Sequence, residues 1–474
     1  MLFSSLEFLF LFLPITLLIY FTVPTKWRNI VLLIVSLIFY GWGEPLYVFL
    51  MIFTIAVDYV CGLFVGKYID TDKKKSRRWL IAAIVINLSL LAFFKYTNLV
   101  VDTIRMIPGL SGLSFPSISL PIGISFYTFQ SLSYVIDVYR KDTPAQRSIF
   151  IFGTYVTLFP QLIAGPIVRY RDVENELTER DSSVALAASG IRLAVKGLCK
   201  KVILANTAGA LWEMCYTTPS GELSAVGAWF GIICFAFQIY FDFSGYSDMA
   251  IGMGRVFGFH FLENFNYPYI AESITDFWRR WHISLSSWFR EYVYFPLGGS
   301  REGTFKTYRN LMIVWLLTGL WHGAAWNFVL WGVYYGVVLI IEKAFIGKYI
   351  AKLPRVLRHI YTLVLVLFGW LLFAFDGSVD ALSMSAALQY VRTMFGGGAG
   401  FINGVDAYEL VRNGILLCIM TIASTPFLRQ AYYKLYDKSK LTGIAATVLT
   451  LLGFMLSVAY LVDSSFNPFL YSRF

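Results

Sequence analysis

Of the four histidines in the chain, two lie where acid–base chemistry would need them. His282 stands in SITDFWRRWHISLSSWFREYVYFPLGG, and His322, forty residues on, stands in LTGLWHGAAWNF. An imidazole titrates near neutrality, so it can take the proton from a hydroxyl as that hydroxyl attacks a carbonyl. The oxyanion that forms needs donors, and the indole N–H of a nearby tryptophan such as Trp281 or Trp321 would supply one. The plainer alternative is that each histidine satisfies a local hydrogen bond. That alternative is weaker for His322, because its segment is otherwise almost wholly apolar and an ionisable residue there is costly.

These residues must be carried by helices. On a helical wheel Arg279, His282, Ser286 and Arg290 follow i, i+3, i+7, i+11 and form one polar stripe, opposite Phe277, Trp278, Trp281, Leu285 and Trp288. Around His322, Thr318 lies one turn earlier, and Gly319 and Gly323 leave room for a close neighbour or a ligand. Arg279, Arg280 and Arg290 suit the phosphates of a nucleotide-like donor, or else lipid headgroups at the membrane surface. Asp242 and Asp248, in IYFDFSGYSDMAIG, either line a polar cavity, pairing with Arg279 or Arg280, or form an ion pair that holds helices together. Asp58, Lys95 and Asp137 read as structural or interfacial.

The composition sets the solvent of this chemistry. Hydrophobic residues make up 57% of the chain and charged ones 14%, and the mean hydropathy is +0.63, which marks an all-α polytopic membrane protein. The net charge of +10 then reads as cytoplasmic loops, and no basic run with interleaved aromatics points to nucleic acid. Cys61, Cys199, Cys215, Cys234 and Cys418 are scattered without a CxxC, and no metal-ligand spacing occurs, so neither a disulfide framework nor a metal site is expected. No permanently bound cofactor is expected either. The first residues lack the basic start and small-residue cleavage site of a signal peptide.

Read in order, apolar segments at 8–23, 30–42, 46–66 and 79–101 are spanning candidates. The loop 67–78 between the last two holds six basic residues and is predicted cytoplasmic, which places the N-terminus outside. Residues 120–138 return. From 149 to 309 the pattern breaks at Pro160, Gly165 and Pro166, and Arg192, Lys196, Lys200 and Lys201 fall at the spacing of an interfacial amphipathic helix. Broken helices at membrane depth must be buried in protein or line a wet cavity, so a polar cavity is predicted here. Spans follow at 359–375, 414–428 and 442–462, with a Gly-rich external segment at 376–413 and an external tail at 464–474. Both termini are thus predicted extracytoplasmic, on a single membrane domain, 1–474, whose catalytic core is 120–341. No internal repeat is visible, which argues against an inverted-repeat transporter or flippase using His and Asp for proton coupling.

The histidine segments resemble those of the membrane-bound O-acyltransferase (MBOAT) family, in particular its bacterial branch acting on cell-surface polysaccharides of the alginate type. The likeness extends to LPIGISFYTFQSLSYVIDVYR at 120–140, FPQLIAGPIVRYRD at 159–172 and QIYFDFSGYSDMAIGMGRVFGFHFLENFNYPY at 238–269. It implies a bundle of spanning, re-entrant and interfacial helices around a buried catalytic cavity in the bacterial cytoplasmic membrane. It also implies His322 as the central catalytic residue, with His282 as its companion. The donor would be cytosolic acetyl-CoA, and the partners a secreted SGNH-type acetyltransferase and other proteins of a polysaccharide pathway. D-alanyl transferases fed by a carrier protein belong to the same family, but they tend to lack much of the tail that this chain carries after His322.

The final stretch, SSFNPFLYSRF, is too apolar to float in water and is expected to dock in a groove or cavity mouth. It resembles an aromatic, tyrosine-bearing C-terminal motif of the polysaccharide branch, although Ser472 stands where an aromatic is usual. That resemblance implies Tyr471 as an acyl carrier. A phenol of pKa near 10 is close enough to a thiol near 8.5 for its ester to keep much of a thioester's transfer potential.

Overall fold

The structure, a computed structural model, describes residues 1–110, 112–180, 183–375, 384–436, 440–463, 467–468 and 470. No strand occurs among them, and the helices fall into two compact units. The first comprises Met1–Val195 and Tyr246–Leu262, the second Lys196–Gly245 and Glu263–Leu470.

The first unit begins with α1 (Leu13–Thr22) and α2 (Arg28–Gly43), followed by α3 (Tyr47–Tyr68), α4 (Lys73–Arg105) and α5 (Ile124–Arg140). α3 and α4 match the expected spans at 46–66 and 79–101 and are long and apolar enough to cross a membrane. α5 is buried along nearly its whole length because α3 can approach it closely. A Cβ on Gly62 would stand 2.6 Å from Tyr134 Cε1. The buried polar groups expected to be structural find partners: Asn87 Nδ2 donates to Asp58 at 2.7 Å, Lys95 to Ser125 Oγ at 3.2 Å, and Arg171 stands 3.9 Å from Asp137.

α6 (Val184–Cys199) runs on through a π-helical turn, Lys200–Ala205, into a further helix, Asn206–Thr217. The expected interfacial stripe therefore fails at its end. Arg192 and Lys196 are exposed, but the wider turn rotates the residues after it, and Lys201 points into the protein. α7 (Ala225–Val256) is a candidate span that the sequence pattern did not separate within 149–309. Its face is mostly covered by protein, so Gln238, Asp242 and Ser244 can sit within it, and a reading based on apolar runs passes over it.

In the second unit two short helices, α8 (Ile274–Arg280) and α9 (Ile283–Phe289), precede the hairpin of α10 (Thr304–His322) and α11 (Trp326–Ile341). α12 (Arg355–Ala374) and α15 (Lys440–Asp463) meet the expectations at 359–375 and 442–462. The segment expected to cross as one span at 414–428 is instead two helices, α13 (Gly414–Ala423) and α14 (Phe427–Tyr436), bent by 67° at the break before Pro426. Proline has no amide hydrogen to continue the ladder, so the helix ends there. Among the described residues six helices are long and apolar enough to span, or seven if the bent pair counts as one.

Candidate active site

The single polar stripe through His282 does not exist, because the helix breaks at it. α8 ends at Arg280, Trp281 is extended, and His282 takes a left-handed backbone with φ of +45° before α9 begins. That conformation is costly for a residue with a Cβ, so neighbours must hold it. Asn264 does so. Its backbone carbonyl accepts from Ile283 N at 3.0 Å. Its side-chain Oδ1 faces Ser284 N at 3.2 Å, Ser284 Oγ at 2.9 Å and His282 Nδ1 at 3.1 Å. Two residues further, Asn266 N donates to Arg280 O at 2.9 Å, extending the grip to both sides of the break.

The start of α8 is held as firmly. The carboxylate of Glu342, itself buried, accepts from Ile274 N and Thr275 N at 2.9 Å each and from Thr275 Oγ1 at 2.5 Å. It thereby satisfies amides that the first turn leaves open and places a negative charge at the positive end of the helix. Glu272, just before it, pairs with Arg355 at 2.9 Å and Arg358 at 2.8 Å. Neither Asn264 nor Glu342 stood out in the sequence. The available signals were an Asn set among aromatics and a lone carboxylate closing an apolar run.

His322 is the last residue of α10, and Gly323 leaves the helix in an extended conformation. The glycines beside it make room for a helix and not for a ligand. A Cβ on Gly319 would lie 2.3 Å from Phe328 O, and one on Gly323 2.1 Å from the Phe328 ring. α10 and α11 thus pack backbone to backbone. The imidazole ends up in a cage of rings met edge to face: Trp321 at 5.1 Å, Trp331 at 5.0 Å and Phe373 at 5.4 Å between centroids.

Trp321 joins the two histidines, since its ring is also 5.8 Å from that of His282. On its other side His282 meets Phe243 at 4.7 Å. Both imidazoles are buried, and His282 lies in the break between α8 and α9, outside the six candidate spans. Burial first, and then the neighbouring His322, push His282 well below the ordinary histidine value. The ring is thereby held in its neutral form.

The other expected site residues divide. Trp281 is buried, with its ring against Phe277, Phe265 and Trp370. Ser286 is half-buried, with its Oγ 3.5 Å from Trp278 O. Arg279 and Arg290 are exposed, whereas Arg280 is held by Asp276 at 2.9 Å and by Asn266 O at 3.3 Å. Asp242 pairs with neither arginine. Its partner is Lys201, 2.7 Å away, and this cation arrives because the π-helical turn has swung it inward. Asp248 belongs to the first unit and is half-buried. Tyr471 lies outside the described residues.

Residues 141–385 match the profile of MBOAT, the membrane-bound O-acyltransferase family. The chain is 39% identical to a probable alginate O-acetylase of Azotobacter vinelandii over all of both chains. It is 31% identical to the peptidoglycan O-acetyltransferase of Helicobacter pylori over 100% of this chain and 98% of that one. To the teichoic acid D-alanyltransferase of Bacillus subtilis it is 28% identical, over 53% of this chain and 68% of the other.

Proposed function

The chain belongs to the membrane-bound O-acyltransferase family, and from that premise we propose that it moves acetyl groups from cytoplasmic acetyl-CoA across the bacterial cytoplasmic membrane, for O-acetylation of a polysaccharide of the cell surface. The observation that carries this reading is the pair of buried imidazoles on either side of Trp321, within a cage that is otherwise aromatic. Acetyl is favoured over D-alanyl because the acetylating relatives align over the whole chain and the D-alanylating one over about half of it.

In this reading His322 takes the proton from the hydroxyl of Tyr471 as that oxygen attacks the thioester carbonyl. The carbon–sulfur bond breaks, the thiolate leaves with the proton from His322, and an acetyl ester remains on the tyrosine. The Trp321 indole N–H is the donor for the oxyanion, and His282 orients the reacting groups. Arg279, on the exposed face of α8, receives the phosphates of the donor, with both termini and the acceptor on the outer side. The acetyl group then passes to a secreted SGNH-type acetyltransferase and from it to the polysaccharide.

Replacing His322 by Ala tests the base. Surface O-acetylation should vanish at equal protein abundance, and wild-type acetylation in that variant would exclude the role. Tyr471→Phe removes the hydroxyl alone. Normal acetylation in it, or no acetyl mass on the C-terminal peptide when the downstream enzyme is absent, would end the carrier step. Turnover with an acylated carrier protein and none with acetyl-CoA would replace acetyl by D-alanyl.

A further inference from the structure

A second buried polar cluster lies in the same unit as the histidines. Lys201 and Asp242 stand 2.7 Å apart with side chains 3% and 2% exposed. Two charges taken so far out of water lose hydration that their mutual attraction alone does not restore, unless further polar groups complete the site. Here the attraction is one of proximity, since Asp242 Oδ1 is not aligned as a hydrogen-bond acceptor. The aligned bonds go elsewhere. Lys201 Nζ donates to Asn206 Oδ1 at 3.0 Å and to the backbone carbonyl of Pro468. Asn206 Nδ2 donates to Asn467 Oδ1 at 3.2 Å, and Leu470 N donates to Asp242 Oδ2 at 3.0 Å.

The cation therefore holds a backbone carbonyl and the anion holds a backbone amide two residues later. That pattern grips the main chain at two points and so distinguishes the direction in which it runs. A purely structural ion pair between α7 and its neighbour would need neither bond. We infer that Lys201 and Asp242 form a peptide-binding clamp whose ligand is the main chain at Pro468 and Leu470 of this same chain. The clamp fixes the point from which the chain continues to residue 471. Phe243, the residue after Asp242 on α7, packs its ring against His282, so adjacent residues of one helix serve the clamp and the histidine cage. The docking stands on the bonds above, while its purpose, presenting the hydroxyl of residue 471, rests on the carrier reading of the preceding section.

The test measures docking without using activity. Leu470→Cys keeps the backbone amide, and with Cys199→Ser and Cys418→Ser, which remove the two cysteines that are not buried, it provides a thiol for a bulky hydrophilic maleimide on the full-length protein in detergent. In the parent this thiol should react slowly. Adding Lys201→Met and Asp242→Leu together removes both charges, an exchange of a buried ion pair for apolar bulk that proteins often tolerate. Labelling should then accelerate about tenfold or more, since bonds to charged groups are the ones lost. Equal rates in the two proteins would overturn the clamp. Should the double variant fail to fold, hydrogen exchange at the Leu470 amide of the unaltered protein decides: protection supports the clamp, and exchange at the rate of a free peptide refutes it. If labelling accelerates as expected but Tyr471→Phe still acetylates polysaccharide, the clamp stands and the carrier reading falls.

Discussion

His282 Nδ1 faces Asn264 Oδ1 at 3.1 Å, and the same oxygen faces Ser284 N at 3.2 Å. A backbone N–H can only donate, so the atom it meets is the amide oxygen. The imidazole must therefore carry its proton on Nδ1 and keep the lone pair on Nε2. Asn264 sets the tautomer as well as the left-handed backbone. Asn264→Ala should lower acyl transfer by about a hundredfold, the scale of a misplaced catalytic group. Activity within a factor of two of wild type, measured with acetyl-CoA on purified protein, would rule the positioning out.

Asn264→Asp keeps an acceptor and adds a charge, and its effect has a sign. Burial and His322 already hold His282 below its usual value, so the neutral ring persists into mildly acidic solution. A carboxylate next to the ring favours the protonated form and raises that pKa. The active, neutral form is then lost at a higher pH, and the acid limb of the activity profile should move upward. A limb that stays in place or moves down would show that His282 does not govern it.

How much of this was legible depended on where each residue finds its partners. The histidines, the arginines and the apolar runs of α3, α4, α12 and α15 are visible because type and hydropathy announce them. The break at His282 is not, since Arg279, Trp281 and Ser286 fit an unbroken wheel and the cause of the break, Asn264, sits on a separate loop. α7 hid for a related reason: its polar residues are covered by protein, and Asp242 has Lys201 beside it. Lys201 itself had the spacing of a surface residue, and a π-helical turn that no composition signals turned it inward.

The α10–α11 hairpin that presents His322 depends on bare backbone. A methyl group at Gly319 would stand 2.3 Å from Phe328 O, and one at Gly332 2.5 Å from Trp315 O. Gly319→Ala should force the helices apart and cost about 1–3 kcal/mol, as overpacking does. The thermal midpoint in detergent should fall, and activity with it, because the ring cage opens. An unchanged midpoint would mean that the helices yield without strain.

Arg279 and Arg280 should behave differently although they are neighbours. Arg280 ties Asp276 to the backbone of Asn266, so Arg280→Ala should loosen the loop that carries Asn264 and lower stability and turnover together. Arg279 is exposed, and Arg279→Glu should raise the KM for acetyl-CoA with little change in the thermal midpoint. An unaltered KM in Arg279→Glu would remove it from the donor path.

The last prediction concerns Glu342, whose two carboxylate oxygens each accept a backbone amide at the start of α8. Glutamine has the same shape but one oxygen, and its amide group would turn a donor toward a donor. Glu342→Gln must therefore lose one of the two backbone bonds, and Glu342→Ala loses both. Hydrogen bonds to a charged group are worth about 1.5–3 kcal/mol each, so the thermal midpoints should descend from wild type through Gln to Ala. α8 is only seven residues long, and His282 follows its end after one more residue. A helix freed at its first turn transmits that freedom to the break, so kcat should fall in the same order, while KM for the donor changes less. A Gln variant as stable and as active as wild type would show that the charge of Glu342 contributes nothing to holding His282.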